Sequence, residues 1–209
     1  SGLGEISKLQ INPAIQRAYN PKKKPVPVSE AALNRMRTRA AADNGFKFND
    51  ALLPHQWGYI NRGAYDFATE KAPAIVGSDV NCEEAWELCT GDPEIIVAVL
   101  DEGVMYTHED LTDNMWVNEK EQVGSDQDND GNGYKGDRHG YNFVKENGNI
   151  SWQAAEDTGH GTHVAGTIAA VNGNNIGVCG IAGGNGTKGG VRIMSCQVFD
   201  GDGQVRMVN

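Results

Sequence analysis

Ile95-Ile-Val-Ala-Val-Leu-Asp-Glu-Gly103 is the stretch that decides how this chain folds. Residues 95–100 are wholly apolar and mostly β-branched, without the alternation of a half-exposed strand. They are therefore predicted to form a strand buried on both faces. In a parallel α/β fold the carboxyl end of such a strand is where sites are built, and here that end carries Asp101. Glu102 follows directly. Neighbours in a strand point to opposite faces, so only one of the two carboxylates can enter a site at that edge. A strand-end Asp by itself more often serves a turn or a cap.

Upstream, Asp92-Pro93 marks a turn into the strand. Asn81 followed by Glu84 has the form of a capping box, which predicts a helix over 82–89 stopped by Gly91. Residues 46–75 read as irregular, with Trp57, Tyr59, Tyr65 and Phe67 expected to pack on the body. Downstream, a polar Gly-rich stretch over 118–138 precedes a short strand near Tyr141–Val144. A helix is predicted from His160 through Ala170 and a further strand over Val191–Phe199. Strands alternating with helices imply an α/β fold with a largely parallel sheet and flanking helices.

The 209 residues suffice for a sizeable core without staples. No apolar run approaches the roughly 18 residues of a membrane span, and the N-terminus shows no signal-peptide core. A net charge of −10 disfavours a nucleic-acid partner. The charge is unevenly placed: residues 1–47 hold nine Lys/Arg against Glu5, Glu30 and Asp43, which leaves the rest strongly acidic. Either the basic arm contacts the acidic body or it is an exposed basic helix, centred on the stretch from Ser29 to Gly45. The four cysteines (Cys82, Cys89, Cys179, Cys196) are expected as free thiols. Cys82 and Cys89, seven apart on a helix, would lie about 10.5 Å apart along its axis, too far for a disulfide.

The second informative stretch is Gly159-His-Gly-Thr-His-Val-Ala-Gly-Thr167. His160 sits between two glycines at a predicted helix start, which exposes its ring and lets a substrate backbone approach. His163 falls one turn on. Zinc-peptidase helices space their His at i, i+4 with a Glu between, so the pair is not read as a metal site, and His163 is expected as a packed helix residue.

"VAVLDEG" followed 59 positions later by "HGTHVAGTIAA", then "GIAG" and "VRIMSCQVFDGDGQ", resembles the first half of a subtilase catalytic domain. The resemblance covers roughly 48–209. "FNDALLPHQWGYINRG" is similar to the opening of the mature enzyme, and "CEEAWELCTG" to the helix before the first strand. Residues 1–47 then read as an N-terminal extension or the end of a propeptide. The resemblance implies a secreted or periplasmic serine endopeptidase acting on polypeptides. In it Asp101 would accept the Nδ1–H of His160, and His160 would serve a Ser nucleophile. Gly201, Asp202 and Gly203 resemble the edge that pairs with extended substrate. Glu102 departs from the family's usual Ser or Thr. The family's Gly-Thr-Ser-x-Ala motif and oxyanion Asn match nothing here, and the seven serines fit none of their roles. Ser195, mid-strand, is expected in the core. The nucleophile is thus expected in a missing C-terminal half, which this chain would need as a partner. The competing expectation is a non-catalytic calcium-binding interaction module on the same scaffold.

Asp126-Gln-Asp-Asn-Asp-Gly-Asn-Gly-Tyr-Lys-Gly-Asp137 places Asp at loop positions 1, 3, 5 and 12 with Gly at 6, the calcium-loop pattern with Asp in place of the final Glu. Side chains of Asp126, Asp128, Asp130 and Asp137, with Asn132 or Tyr134 adding a carbonyl, are the expected Ca²⁺ ligands. A second calcium site is implied by the resemblance alone, from Asp50, Asp110 and the loop after the His helix: Val171, Asn174, Ile176 and Val178.

Overall fold

Residues 95–100 do lie in a strand region, but only one face of that strand is covered. The computed structural model describes residues 45–63, 75–152 and 158–199. Strand β1 (Ile96–Asp101) pairs in parallel with β3 (Arg192–Gln197), and β3 pairs in parallel with β2 (Gly140–Asn142), so the sheet order is β1-β3-β2. The register sets Asp101 opposite Gln197 and Asn142 opposite the same Gln197. Helix α2 (His160–Ala169) connects β2 to β3 and packs on the sheet. Helix α1 (Cys82–Leu88) precedes β1.

The covered face forms the main core. Val99 of β1 and Ile193 of β3 meet Ala165 and Ala169 of α2, with Val104, Leu111, Met115 and Val191 closing the sides. Small residues on α2 let the helix lie close to the strands. The expectation of burial on both faces fails on the other side. Ile96 is 49 % exposed and Leu100 60 %. Their register partners Arg192 and Cys196 lie on that same face of β3, and no described element covers it. An uncovered apolar face is what a parallel sheet avoids when whole.

The helix before β1 is present without its capping box. Asn81 has left-handed backbone (φ 54°, ψ 48°), and its side chain caps nothing. Asp79 orders this entry instead, its Oδ1 accepting the Asn81 N–H at 2.7 Å and its Oδ2 the Asn61 N–H at 2.6 Å. A carboxylate already holding that backbone outcompetes the reciprocal Asn–Glu exchange. α1 drives Trp86 into a second cluster with Phe48, Leu53, Ile60, Cys82 and Cys179, and Trp86 Nε1–H donates to Ile181 O at 2.9 Å. Tyr59 packs edge-on against Trp86, whereas Trp57 is exposed. Tyr65 and Phe67 lie outside the described residues, as does the helix expected after Ser29. Lys47, the one basic residue of the 1–47 arm among the described residues, pairs with Glu87 at 2.7 Å. All four cysteines are free thiols, Cys82 and Cys179 buried and Cys89 exposed.

Candidate active site

Asp101 is the last residue of β1, and His160 is the first of α2. Between them the chain travels through the acidic loop and β2, yet the two side chains meet: His160 Nδ1–H donates to Asp101 Oδ2 at 2.8 Å. The other carboxylate oxygen, Oδ1, accepts the Glu102 N–H at 2.8 Å. Both oxygens are therefore oriented, one by backbone and one by the imidazole. The pair is asymmetric in solvent. Asp101 is 14 % exposed and His160 59 %, so the carboxylate is sheltered while most of the histidine side chain is open to solvent.

Backbone fit holds the two ends together. Gly103 has φ 111°, a conformation L side chains rarely adopt, and turns the chain directly under α2. A Cβ on Gly161 would run into the Gly103 carbonyl and press on Asp101 Cβ. The sequence reading assigned Gly161 to substrate approach. It is buried instead, and its missing side chain lets helix and strand end touch. Thr162 Oγ1 adds a tie, accepting the Met105 N–H at 3.0 Å. His163, expected as a packed residue, is exposed, because Ala165 and Ala169 take the sheet-facing side of α2. A cavity of about 660 Å³ lies along that outer side, lined among others by His163, Thr167, Trp57 and Tyr59.

The alternation expected of strand neighbours does not separate Glu102 from Asp101: Glu102 lies just past the end of β1, is buried, and reaches the backbone of His160 while Asp101 takes its ring. Its Oε1 accepts from the His160 N–H (2.6 Å), the Thr158 N–H (3.0 Å) and the Thr158 hydroxyl (2.6 Å). Sequence reasoning recognised Glu102 only as an oddity. The signal that would have found it is Gly159, an N-cap position with no side chain to cap with. Ser195 is buried in β3, its Oγ accepting the Val104 N–H at 3.1 Å. Gly201, Asp202 and Gly203 lie outside the described residues.

The acidic loop gathers most of its expected residues and adds one. Oxygens of Asp128, Asp130 and Glu121 lie within 4.8 Å of one another. Asp128 accepts N–H bonds from Gly131, Asn132 and Gly133, and these hold its carboxyl below the usual range. Asn118 Nδ2 bridges Asp130 and Asp137, each at 2.9 Å. Asn132 Nδ2 donates to Asp137 Oδ2 at 3.0 Å, and burial raises the Asp137 carboxyl. Tyr134 packs on Tyr141 and Phe143. Exposed Asp126 and buried Asp137 are not among the three whose oxygens converge. Glu121, fully buried, takes part from before the loop, its Oε2 accepting the Gly136 N–H at 3.0 Å.

Of the second expected set, Asp110, Asn174 and Val178 are joined by hydrogen bonds. Asp110 Oδ1 accepts from Asn174 Nδ2 at 2.8 Å and Oδ2 from the Val178 N–H at 2.9 Å. The Val171 N–H donates to the Asp110 carbonyl at 2.9 Å, and the Ile176 N–H to Asn174 Oδ1 at 2.8 Å. Asp50 Oδ2 accepts the Gly173 N–H at 2.7 Å. Burial pushes Asp110 up to about 6, with neighbouring Asp50 and Glu109 adding to it, and burial raises Asp50 as well.

Residues 92–208, more than half of the chain and both members of the Asp–His pair, match the model of the subtilase family. Subtilisin-like protease 1 of Plasmodium vivax is 33 % identical over 177 residues, covering 83 % of this chain and 24 % of the relative. The halolysin-like extracellular serine protease Nep of Natrialba magadii is 35 % identical over 103 residues, 49 % of this chain and 16 % of that protein. The solved complex of Aeromonas sobria serine protease with the chaperone ORF2 aligns with a TM-score of 0.51 at 27 % identity, over 73 % of this chain and 20 % of that one. The chain thus spans about a quarter or less of the relatives it matches. With the parallel sheet, the hydrogen-bonded Asp–His pair at its carboxyl edge and the family match running through both, this chain belongs to the subtilase family.

Proposed function

We propose that this chain supplies the Asp and His of a serine endopeptidase triad, Asp101 and His160, and that the nucleophilic Ser comes from polypeptide beyond it. The single observation that carries this is the 2.8 Å bond from His160 Nδ1 to Asp101, with the rest of the ring exposed. The bond fixes the tautomer in which Nε2 is the free base. As a Ser Oγ attacks the scissile carbonyl carbon, its proton passes to Nε2. The same proton then passes to the leaving amine, and water repeats the exchange to release the acyl product. Asp101 stays ionised throughout and stabilises the imidazolium. The oxyanion donors, usually a large part of the acceleration, come from the same outside segment as the Ser. Ser195 is spent on Val104, which supports a nucleophile from elsewhere. The bare sheet face around Ile96 and Leu100 is where that segment would pack.

Polypeptide substrates follow from this chemistry, with Gly201–Gly203 as the pairing edge. Export fits the Natrialba relative, which is an extracellular protease by name. Calcium fits both oxygen clusters: three carboxylates converging in one loop, and two buried carboxylates beside Asn174, are donor sets for a hard cation. Asp128, Asp130, Asp137 and Glu121 would hold one ion, and Asp50, Asp110 and Asn174 the other. Bound there, calcium supplies charge compensation and rigidity, with no part in the acyl transfer. The test is the full-length protein with a fluorophosphonate probe and a peptide substrate. Labelling of a Ser outside 1–209, lost with peptide hydrolysis in His160→Ala, is expected, and residues 1–209 alone should neither label nor hydrolyse. A full-length protein that binds calcium yet neither labels nor hydrolyses peptides is the non-catalytic module instead.

A further inference from the structure

We infer that Glu102 is a positioning residue that clamps the backbone of His160 from behind, so that two consecutive carboxylates grip one histidine: Asp101 by its ring and Glu102 by its main chain. This rests on the triad reading above. The first N–H groups of any α-helix lack intrahelical partners, and an N-cap side chain normally serves them. In α2 the N-cap is Gly159, whose φ of 76° suits glycine and whose side chain is absent. The missing cap arrives from another element. Glu102 Oε1 comes from the end of β1, 58 residues earlier in the chain, and accepts the His160 N–H at 2.6 Å. The same oxygen takes both donors of Thr158, the amide at 3.0 Å and the hydroxyl at 2.6 Å. One atom therefore ties together both residues flanking Gly159.

The physical logic favours a charged group here. A buried carboxylate is costly unless its oxygens are bonded, and Glu102 is only 2 % exposed. Three donors on Oε1 and the positive end of a ten-residue helix offset part of that cost. In return the backbone leading into His160, on either side of Gly159, is fixed relative to β1. Asp101 restrains the imidazole, and Gly161 on Gly103 with Thr162 on the Met105 N–H hold the turn that follows; Glu102 holds the backbone that leads into it. With Glu102 holding the amide and Asp101 holding Nδ1, the histidine is fixed at backbone and ring by the last residue of β1 and the one after it.

The experiment uses the full-length protein. It compares Glu102→Ala with Glu102→Gln by peptide hydrolysis and by the downfield proton resonance of the His160 Nδ1–H in the NMR spectrum. Loosening of a catalytic base by about an ångström costs up to about 100-fold, so Glu102→Ala is expected to lower kcat about 10- to 100-fold. KM should stay within about twofold, because substrate binding is not touched. The Nδ1–H resonance should broaden or vanish through faster exchange. Glu102→Gln keeps an oxygen that accepts the same bonds and should restore most of what Glu102→Ala loses. If Glu102→Ala does not fold, Glu102→Asp keeps the charge but draws the oxygen back, and the same loss of kcat is expected. A folded Ala or Asp variant with wild-type kcat and an unchanged resonance overturns the clamp. The resonance needs no substrate, so the two readings fail separately. Wild-type protein that hydrolyses nothing breaks the triad proposal, while a resonance that persists in Glu102→Ala breaks this one.

Discussion

The Asp101–His160 pair and the acidic loop over 118–137 both bring carboxylates together, and they are held by different forces. Around the pair, geometry comes from packing: glycine against backbone, alanines against strands, and a buried carboxylate with one oxygen taking three N–H and O–H donors. In the loop, Asp128, Asp130, Asp137 and Glu121 lean on asparagine side chains and turn amides, and oxygens of Asp128, Asp130 and Glu121 crowd one another. A packed arrangement persists in any solvent. A crowded carboxylate cluster depends on what neutralises it. The pair should therefore be indifferent to cations and sensitive to volume, and the loop the reverse.

The largest effect tests the first half of that contrast. In the full-length protein His160→Ala is expected to lower kcat by about ten-thousand-fold or more, as loss of a triad base does. A progress curve with near-normal turnover would remove His160 from the chemistry. Gly161→Ala comes next. Gly→Ala inside a helix ordinarily stabilises, yet here the added methyl meets the Gly103 carbonyl, so the sign should invert. A loss of about 1–3 kcal/mol in urea denaturation is expected, with kcat down about 10-fold or more. A variant more stable than wild type would mean that the two backbones have room to spare.

Calcium tests the second half. Raising free calcium to about a hundred times its dissociation constant should add about 2.7 kcal/mol per site to the folded state. Asp128→Ala combined with Glu121→Gln should remove the loop's share of that rise in thermal melting, and leave the Nδ1–H resonance of His160 in place. Identical calcium responses in wild type and double variant would reduce the loop to a solvated acidic turn.

The smallest expected effect lies outside both regions and serves as a control. Tyr59 donates its hydroxyl proton to Thr167 O at 2.9 Å, and burial pushes its pKa up to about 12. The folded state thus holds the phenol proton more tightly than the unfolded chain, where it leaves near 10. The stability from this group is complete below pH 10 and is lost as the pH rises toward 12. Alkaline unfolding should flatten over that window in Tyr59→Phe. An unchanged slope would show that the phenol does not titrate differently on folding.

Much of this was legible in the chain itself, because strands and helices announce themselves by local pattern. Residues 95–100, 160–170 and 191–199 carry their periods in consecutive residues, and the elements found there differ from the reading by a residue or two at their ends. Asp101 and His160 could be named because each sits in a motif written in consecutive letters. The sequence alone determined that the sheet is parallel and pointed to Asp101 and His160, which the structure brings within hydrogen-bond distance. Tertiary structure decided what depends on distant partners. Whether Asn81 caps a helix turned on Asp79. The makeup of the acidic cluster turned on Glu121 folding back onto the loop. The use of Gly161 turned on Gly103, and the cap of α2 on Glu102, 58 residues away. Such contacts have no period and no fixed spacing. They arise only when the chain closes on itself and each buried polar group must find a donor or acceptor.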